Sequence, residues 1–340
     1  MKTRLLSLCL IAALLFSMTA CLSWGTTEKE PDEKEAPTIN VYTLNGTTGF
    51  GMAKLMNDAK ADDSPEKYNF SVQTDASMVT AALLNGSADI AALPTNAAAN
   101  VYNKSEGGVV VLAVNTLGCL YLLTNQNENI TSFEDLRGKT VYVPAQNPTF
   151  IFTYLCQQNG LEVGKDITIN SSTYAQPAAL KDAVAAGLVD IAVLPEPMVT
   201  IAINTAKSAG NGITVTNAMD LTAEWNKVST EGSLVQGCIV VRKAFLEQYP
   251  DNVKKFLTAY KASIEYLSTD LDAASQMIVD NGIFTNAGVA KKALPNCNVC
   301  YLDGEAMKNA MQTYFSILYD IAPASVGGKL PADDFYYTND

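Results

Sequence analysis

Four short stretches of this chain carry polar side chains where a helix is about to begin. They are Asn45-Gly46-Thr47-Thr48, Thr95-Asn96, Gln146-Asn147 with Thr149, and Glu196. The first N–H groups of a helix have no intrahelical partner, and the helix dipole makes that end attractive to acceptor atoms and to negative charge. Gly46 and Gly49 would let a ligand approach the backbone closely. The chemistry on offer is recognition, by hydrogen bonding to a small polar molecule. The same loops also suit ordinary turns, with Thr47 or Thr48 capping one helix and Thr95 or Asn96 the next. Glu196 has two readings as well. At a helix start a carboxylate complements the dipole; in a cleft it accepts from an amine, an amidine or a hydroxyl.

Catalysis has little to work with. The chain contains no histidine, which removes the commonest general base and metal ligand and excludes Ser-His-Asp and Cys-His hydrolases. Of seven cysteines, Cys119, Cys156 and Cys238 sit among apolar neighbours and read as small buried residues. Cys297 and Cys300 form CNVC, which fits a disulfide, two free thiols or a metal or redox site. Two ligands alone cannot complete a tetrahedral zinc site. No cofactor and no resident metal are expected. Tyr314, Tyr319, Tyr336 and Tyr337 read as packing residues.

The elements that must position these loops come as a repeat. NVYTLNGTTGF at 40–50 matches TVYVPAQNPTF at 140–150, and NGSADIAALPT at 85–95 matches AGLVDIAVLPE at 186–196. Two matches in the same order at one spacing indicate two copies of one supersecondary unit. Each copy reads as alternating strands and helices: 39–44, 70–73 and 89–93 are strands in the first, 140–143, 167–169 and 190–194 in the second. Alternation of this kind predicts parallel strands with right-handed crossovers. Strands at 109–114 and 119–124 follow the first copy, and 213–215 follows the second. The run 234–241 is expected to cross back to the first lobe, and residues from 244 onward are helical. The fold class is therefore α/β, with two Rossmann-like lobes, a cleft between them and C-terminal helices. In an open sheet, ligands bind beyond the carboxyl ends of the strands, where the four polar stretches lie. Asp89 and Asp190 precede their strands, away from the cleft, and read as turn or capping residues. Thr116-Leu117-Gly118 and Glu231-Gly232-Ser233 are the candidate hinges.

The N-terminus has the form of a secretory signal: basic Lys2 and Arg4, an apolar run Leu5 to Phe16, then small residues. Residues 22–37 are charged and almost without apolar groups, the composition of a solvated tether. The expected organisation is a signal peptide at 1–20, a tether at 21–37, a first lobe from 38–117 with 236–340, and a second lobe from 118–235. The formal net charge is −12 and becomes more acidic without Lys2 and Arg4. No basic patch appears, so nucleic acid is not an expected partner.

Met18-Thr19-Ala20-Cys21 resembles a bacterial lipobox, which implies cleavage before Cys21 and a diacylglycerol thioether on its sulfur. At NGSADIAALPTNAAA, LRGKTVYVPAQNPTF and GLVDIAVLPEP the chain resembles substrate-binding proteins of bacterial ABC importers, in the group for sulfonates, nitrate, taurine and thiamine-precursor pyrimidines. The resemblance covers roughly residues 38–260. It implies a type II periplasmic binding-protein fold with two crossovers, closing on its ligand. It also implies a monomeric, lipid-anchored receptor that feeds a membrane permease with ATPase subunits. By the same resemblance Asn45, Gly46, Thr47, Thr48, Thr95, Asn96, Gln146, Asn147, Thr149 and Glu196 line the ligand. No basic residue falls in these loops, and Lys54 lies further down its helix. That counts against nitrate or a sulfonate, although helix starts alone can hold anions. Glu196 leans toward a nitrogen-bearing or hydroxylated molecule such as a pyrimidine or vitamin precursor. The competing readings are a surface lipoprotein that presents ligand to a sensor or binds a macromolecule, and, with less support, an enzyme on the same fold.

Overall fold

The two copies of the repeat fold into the same unit. The computed structural model describes residues 37–338 except 62, 63, 65, 211 and 230–233. The signal, the tether up to Ala36, Cys21 and the Glu231-Gly232-Ser233 connection lie outside the described residues. In the first copy β1 (Thr38–Leu44) leads into α1 (Thr47–Phe50) and α2 (Ala53–Asp58). Then come β2 (Lys67–Gln73), α3 (Ala76–Asn85), β3 (Ile90–Pro94) and α4 (Thr95–Lys104). Strands β4 (Val109–Leu117) and β5 (Leu120–Asn125) connect it to the second copy. That copy is β6 (Thr140–Tyr142), α5 (Asn147–Gln158), β7 (Thr168–Asn170), α6 (Pro177–Ala185), β8 (Ile191–Pro195) and α7 (Met198–Ala209).

The repeat accounts for only part of each sheet. Strand orders β2-β1-β3 and β7-β6-β8 are parallel in both copies. Beyond them the sheets turn antiparallel. Strand β5 pairs antiparallel with β8 and with β9 (Val215–Asp220), while β10 (Val235–Arg242) returns to lie between β3 and β4. The expected crossing back of 234–241 is therefore present, but the sheets are mixed rather than parallel. Alternation of helices and strands sets direction only within each copy; the crossover strands enter from the other end.

Two elements, α8 and β11, had no clear sequence signal, and a third is displaced: the strand expected at 213–215 is found at Val215–Asp220. Helix α8 (Leu221–Val228) follows it, with the Asp220 carboxylate accepting from Thr222 N and Ala223 N. The C-terminal part runs through α9 (Lys243–Gln248), α10 (Pro250–Tyr266), α11 (Leu271–Asp280) and α12 (Ala287–Ala293). Then a short edge strand β11 (Val299–Leu302) precedes α13 (Gly304–Ile321). Strand β11 pairs with β4. Its VCYL sequence is too short to stand out from a loop.

Strand side chains alternate faces, and the cores follow. Ile90 and Ala92 of β3 join a core with Phe50, Phe256 and Tyr260, whereas Ala91 and Leu93 face a second core. That second core is continuous across both sheets. It takes in Leu120 and Leu122 of β5, Phe152 of α5, Trp225 of α8 and Tyr314 of α13. Tyr121 and Leu123 face a third core under α6 and α7.

Asp89 is buried at the amino end of β3, where it accepts from Asn40 N and Nδ2 at 2.9 Å and pairs with Arg242 at 2.6 Å. Asp190 accepts from the Asn125 side chain. Both are structural anchors at the strand ends opposite the polar loops. Among the described residues no helix is long and apolar enough to cross a membrane.

Candidate functional site

Beyond Leu44 the chain must turn sharply into α1. Gly46 does so at φ 85°, ψ −160°, a region open essentially to glycine alone. Gly49 is needed for a different reason: a Cβ there would sit 1.9 Å from the Leu44 carbonyl oxygen. The loop is tied down by Gly46 N donating to Ile283 O at 3.0 Å. Asn115 Nδ2 also donates to Thr48 O at 3.0 Å. Thr47 does not cap its own helix. Its hydroxyl donates across to the Glu196 carbonyl oxygen at 2.9 Å, with Cys297 Sγ behind it at 3.7 Å.

On the second sheet, α5 starts at Asn147. The Asn147 Oδ1 accepts from the wholly buried Tyr314 hydroxyl at 2.8 Å. Gln146, at φ 68°, is exposed, and Thr149 turns its hydroxyl back to Pro144 O at 2.8 Å. Glu196 is only 4% exposed. Its carboxylate accepts from Thr200 N at 3.1 Å and Thr200 Oγ1 at 2.9 Å. Burial raises its pKa above the usual carboxylate value, partly offset by those bonds and by one from the Asn296 side chain. The carboxylate thus completes the start of α7, the helix-start reading of the two.

A cavity of about 270 Å³ opens between these loops. The first sheet contributes Asn45, Gly46, Thr47, Thr48, Pro94, Thr116 and Gln236; the second contributes Asn147, Pro177, Pro195, Glu196, Pro197 and Met198, with Cys119 at the crossover. Two roomier depressions, of about 500 and 590 Å³, are each lined wholly by residues between 254 and 303. Neither brings the two sheets together, so the smaller cavity is the candidate.

Of the ten residues singled out in the sequence, six meet there: Asn45, Gly46, Thr47, Thr48, Asn147 and Glu196. Four do not. Thr95 is fully buried and donates to Val235 O at 2.9 Å, and the Asn96 Oδ1 is buried without a partner. Neither caps α4, whose N-cap is Pro94. Gln146 and Thr149 stand aside as described above.

Two further lining residues lie outside the ten: Gln236, and Thr116, which the sequence marks only as part of a hinge. Gln236 is the lone long polar side chain within LVQGCIVV, and that interruption of an apolar strand was the available signal. Cys119, read as a buried residue, is buried and also borders the cavity.

Among the described residues no lysine or arginine lines the cavity. Positive potential there comes from the starts of α5 and α6 at Asn147 and Pro177, through their dipoles, whereas the start of α7 is already offset by the Glu196 carboxylate. The Cys119 thiol is pushed up to about 12 by burial, and the Cys297 thiol well above its ordinary value, so both are neutral. Cys297 and Cys300 are free thiols. Among the described residues no group of three or more carboxylates and cysteines could hold a metal ion.

No curated protein matches the chain in sequence. Solved structures do match in fold. A Parabacteroides distasonis structure titled as an ABC transporter is 22% identical, with a TM-score of 0.74 over 89% of this chain and 99% of that one. The periplasmic aliphatic sulphonate-binding protein SsuA of Escherichia coli is 15% identical, with a TM-score of 0.68 over 86% of this chain and 96% of that one. The alkanesulfonate-binding protein SsuA of Xanthomonas axonopodis pv. citri, bound to MOPS, is 16% identical, with a TM-score of 0.59 over 87% and 96%. These share the periplasmic binding-protein fold. Residues 63–283 match the family model described as ABC transporter, phosphonate, periplasmic substrate-binding protein. The chain belongs to that family of extracytoplasmic substrate-binding components of ABC transporters.

Proposed function

We propose that this chain is a lipid-anchored receptor that captures a small organic phosphonate or sulfonate between its two lobes and delivers it to an ABC permease. The observation that carries the reading is the shared cavity, whose walls come from both sheets and are joined by the Thr47–Glu196 bond. A ligand that touches both walls favours the closed arrangement by the difference in its contacts between states. The lobes are 38–117 with 236–340, and 118–235, and they turn about Thr116-Leu117-Gly118. The anchor is the lipid on Cys21. The family name and the sulfonate-binding neighbours support the ligand class, and the helix starts at the cavity supply its attraction. A nitrogen-bearing ligand loses support because the Glu196 carboxylate is already bonded to Thr200.

The test is a thermal-shift screen of the full chain in mild detergent, unfolded and refolded first to strip bound solute. The panel holds phosphonates, sulfonates, pyrimidines, amino acids, polyamines and sugars. A ligand that binds only the native state raises the midpoint with concentration. A hit lost in Asn147→Ala supports the cavity, and no shift with any compound counts against a solute receptor. Cys21→Ala is expected to move the protein from the membrane fraction to the soluble one.

A further inference from the structure

Resting on the receptor reading above, we infer that the cavity selects a singly charged oxyanion headgroup, a sulfonate or a half-protonated phosphonate. Its oxygens are met by the amide NH2 groups of Asn147 and Gln236, and a doubly charged headgroup is rejected.

The two amides are fixed from behind. Gln236 Oε1 accepts from the main-chain N–H of Cys119 at 2.7 Å, and a backbone N–H can only donate. Asn147 Oδ1 accepts from the Tyr314 hydroxyl at 2.8 Å. Tyr314 is wholly buried and packed against Trp225. An amide has one acceptor end and one donor end. With each oxygen tied to the wall, the NH2 end is the one left for the cavity that both residues line. The hydroxyl protons of Thr47 and Thr116 are committed to Glu196 O and Asn115 Oδ1. Among the lining side chains these two amides are the donors held in orientation from behind, and they suit acceptor oxygens.

Charge then sets the limit. Among the described residues no cation lines the cavity, and a buried charge without a counter-charge is costly. Neutral donors and the starts of α5 and α6 can offset one negative charge. A second would also meet Glu196, the one carboxylate of the lining among the described residues. The groups around Glu196 add no positive charge: Thr200 and Asn296 are neutral, Cys119 and Cys297 are held as thiols, and Tyr121 feels both Glu196 and Asp220.

Calorimetric titration of the full chain with propanesulfonate, propylphosphonate and propylammonium, at about pH 6 and about pH 9, tests this. The sulfonate keeps one charge throughout, so its affinity is expected to hold within about twofold. The phosphonate gains its second charge in between, and each pH unit beyond that ionisation removes about tenfold of the monoanion. Its affinity is expected to fall at least about tenfold. In Glu196→Gln the fall shrinks. In Gln236→Glu, which puts an acceptor oxygen where the donor stood, sulfonate binding drops at least about tenfold.

Phosphonate binding that strengthens toward pH 9, or preferred binding of the ammonium, overturns the inference and leaves the receptor reading intact. Silence from all three probes with a hit elsewhere in the wider screen does the same. Silence across the whole screen removes the receptor reading and the inference together.

Discussion

The Thr47 hydroxyl reaches the main-chain carbonyl of Glu196 at 2.9 Å, so a side chain on the loop after β1 reads the backbone of the loop after β8. The bond is buried, and its acceptor belongs to the fold of the β8 loop rather than to a replaceable side chain. Replacing Thr47 with Val keeps the shape and deletes the donor, at a cost of about 1–3 kcal/mol for the unpaired carbonyl in the closed form. Ligand affinity is expected to fall about tenfold, mainly through faster dissociation, as measured by stopped flow. Thr47→Ser should restore it. Unchanged dissociation in Thr47→Val would show that this contact does not hold the lobes together.

Glu196 makes the stability of the ligand-free protein depend on pH. Its pKa in the folded state is raised, chiefly by burial. Between the ordinary carboxylate value and that raised value, the folded state binds more protons than the unfolded one. Stability is therefore highest below the unfolded value and falls as pH rises through the folded one. Glu196→Gln removes this component. Urea unfolding across the acid range should show a wild-type curve that falls relative to the variant as pH increases, and parallel curves would contradict it.

Asp89 tests the separation of scaffold from site. It is 5% exposed, paired with Arg242 and bonded twice to Asn40, at the strand end away from the cavity. Truncation to Ala leaves Arg242 with only its bond to Ala88 O and Asn40 without its acceptor, and losing a carboxylate that is buried and charge-paired costs about 2–3 kcal/mol. The urea midpoint should drop strongly while affinity stays within about twofold at temperatures where the variant is folded. A large loss of affinity would mean that the two ends are coupled.

The two glycines of the first loop should fail differently. At Gly46 a Cβ meets nothing within 4 Å, so Gly46→Ala carries only the strain of its backbone conformation, about 1–3 kcal/mol. At Gly49 the added carbon overlaps a backbone oxygen, and the loop has to move. Gly49→Ala is expected to lose both stability and ligand binding, whereas Gly46→Ala keeps binding at low temperature. Thermal melts with and without ligand separate the two.

Thiol counting checks the CNVC segment. Cys297 Sγ lies against Thr47, whereas Cys300 Sγ faces Val114 O at 3.9 Å. Non-reducing denaturation of a chain beginning after Cys21 should release five titratable thiols, those at 119, 156, 238, 297 and 300. Three would reveal a disulfide. In the folded state labelling should be slow, since burial keeps these groups as thiols.

The sequence by itself determined the unit that is built twice. Strand, polar loop and helix follow from local patterning, because NVYTL is a β-rich run closed by Asn45-Gly46 and DIAALP is a short apolar run closed by Pro94. It also put the polar loops at the carboxyl ends of the strands, and six of the ten chosen residues meet at one cavity on that account. Tertiary structure decided the rest. Whether Thr95 turns to a cleft or to Val235 O depends on where β10 returns, some 140 residues later. Gln236 acquires its orientation from Cys119, and Asn147 acquires its own from Tyr314 on the C-terminal helix. The mixed direction of the sheets has the same origin, since β5 and β10 pair across copies. Periodicity reports a residue's neighbours in the chain. A hydrogen bond between segments 100 or more residues apart is set by packing, which no local pattern encodes.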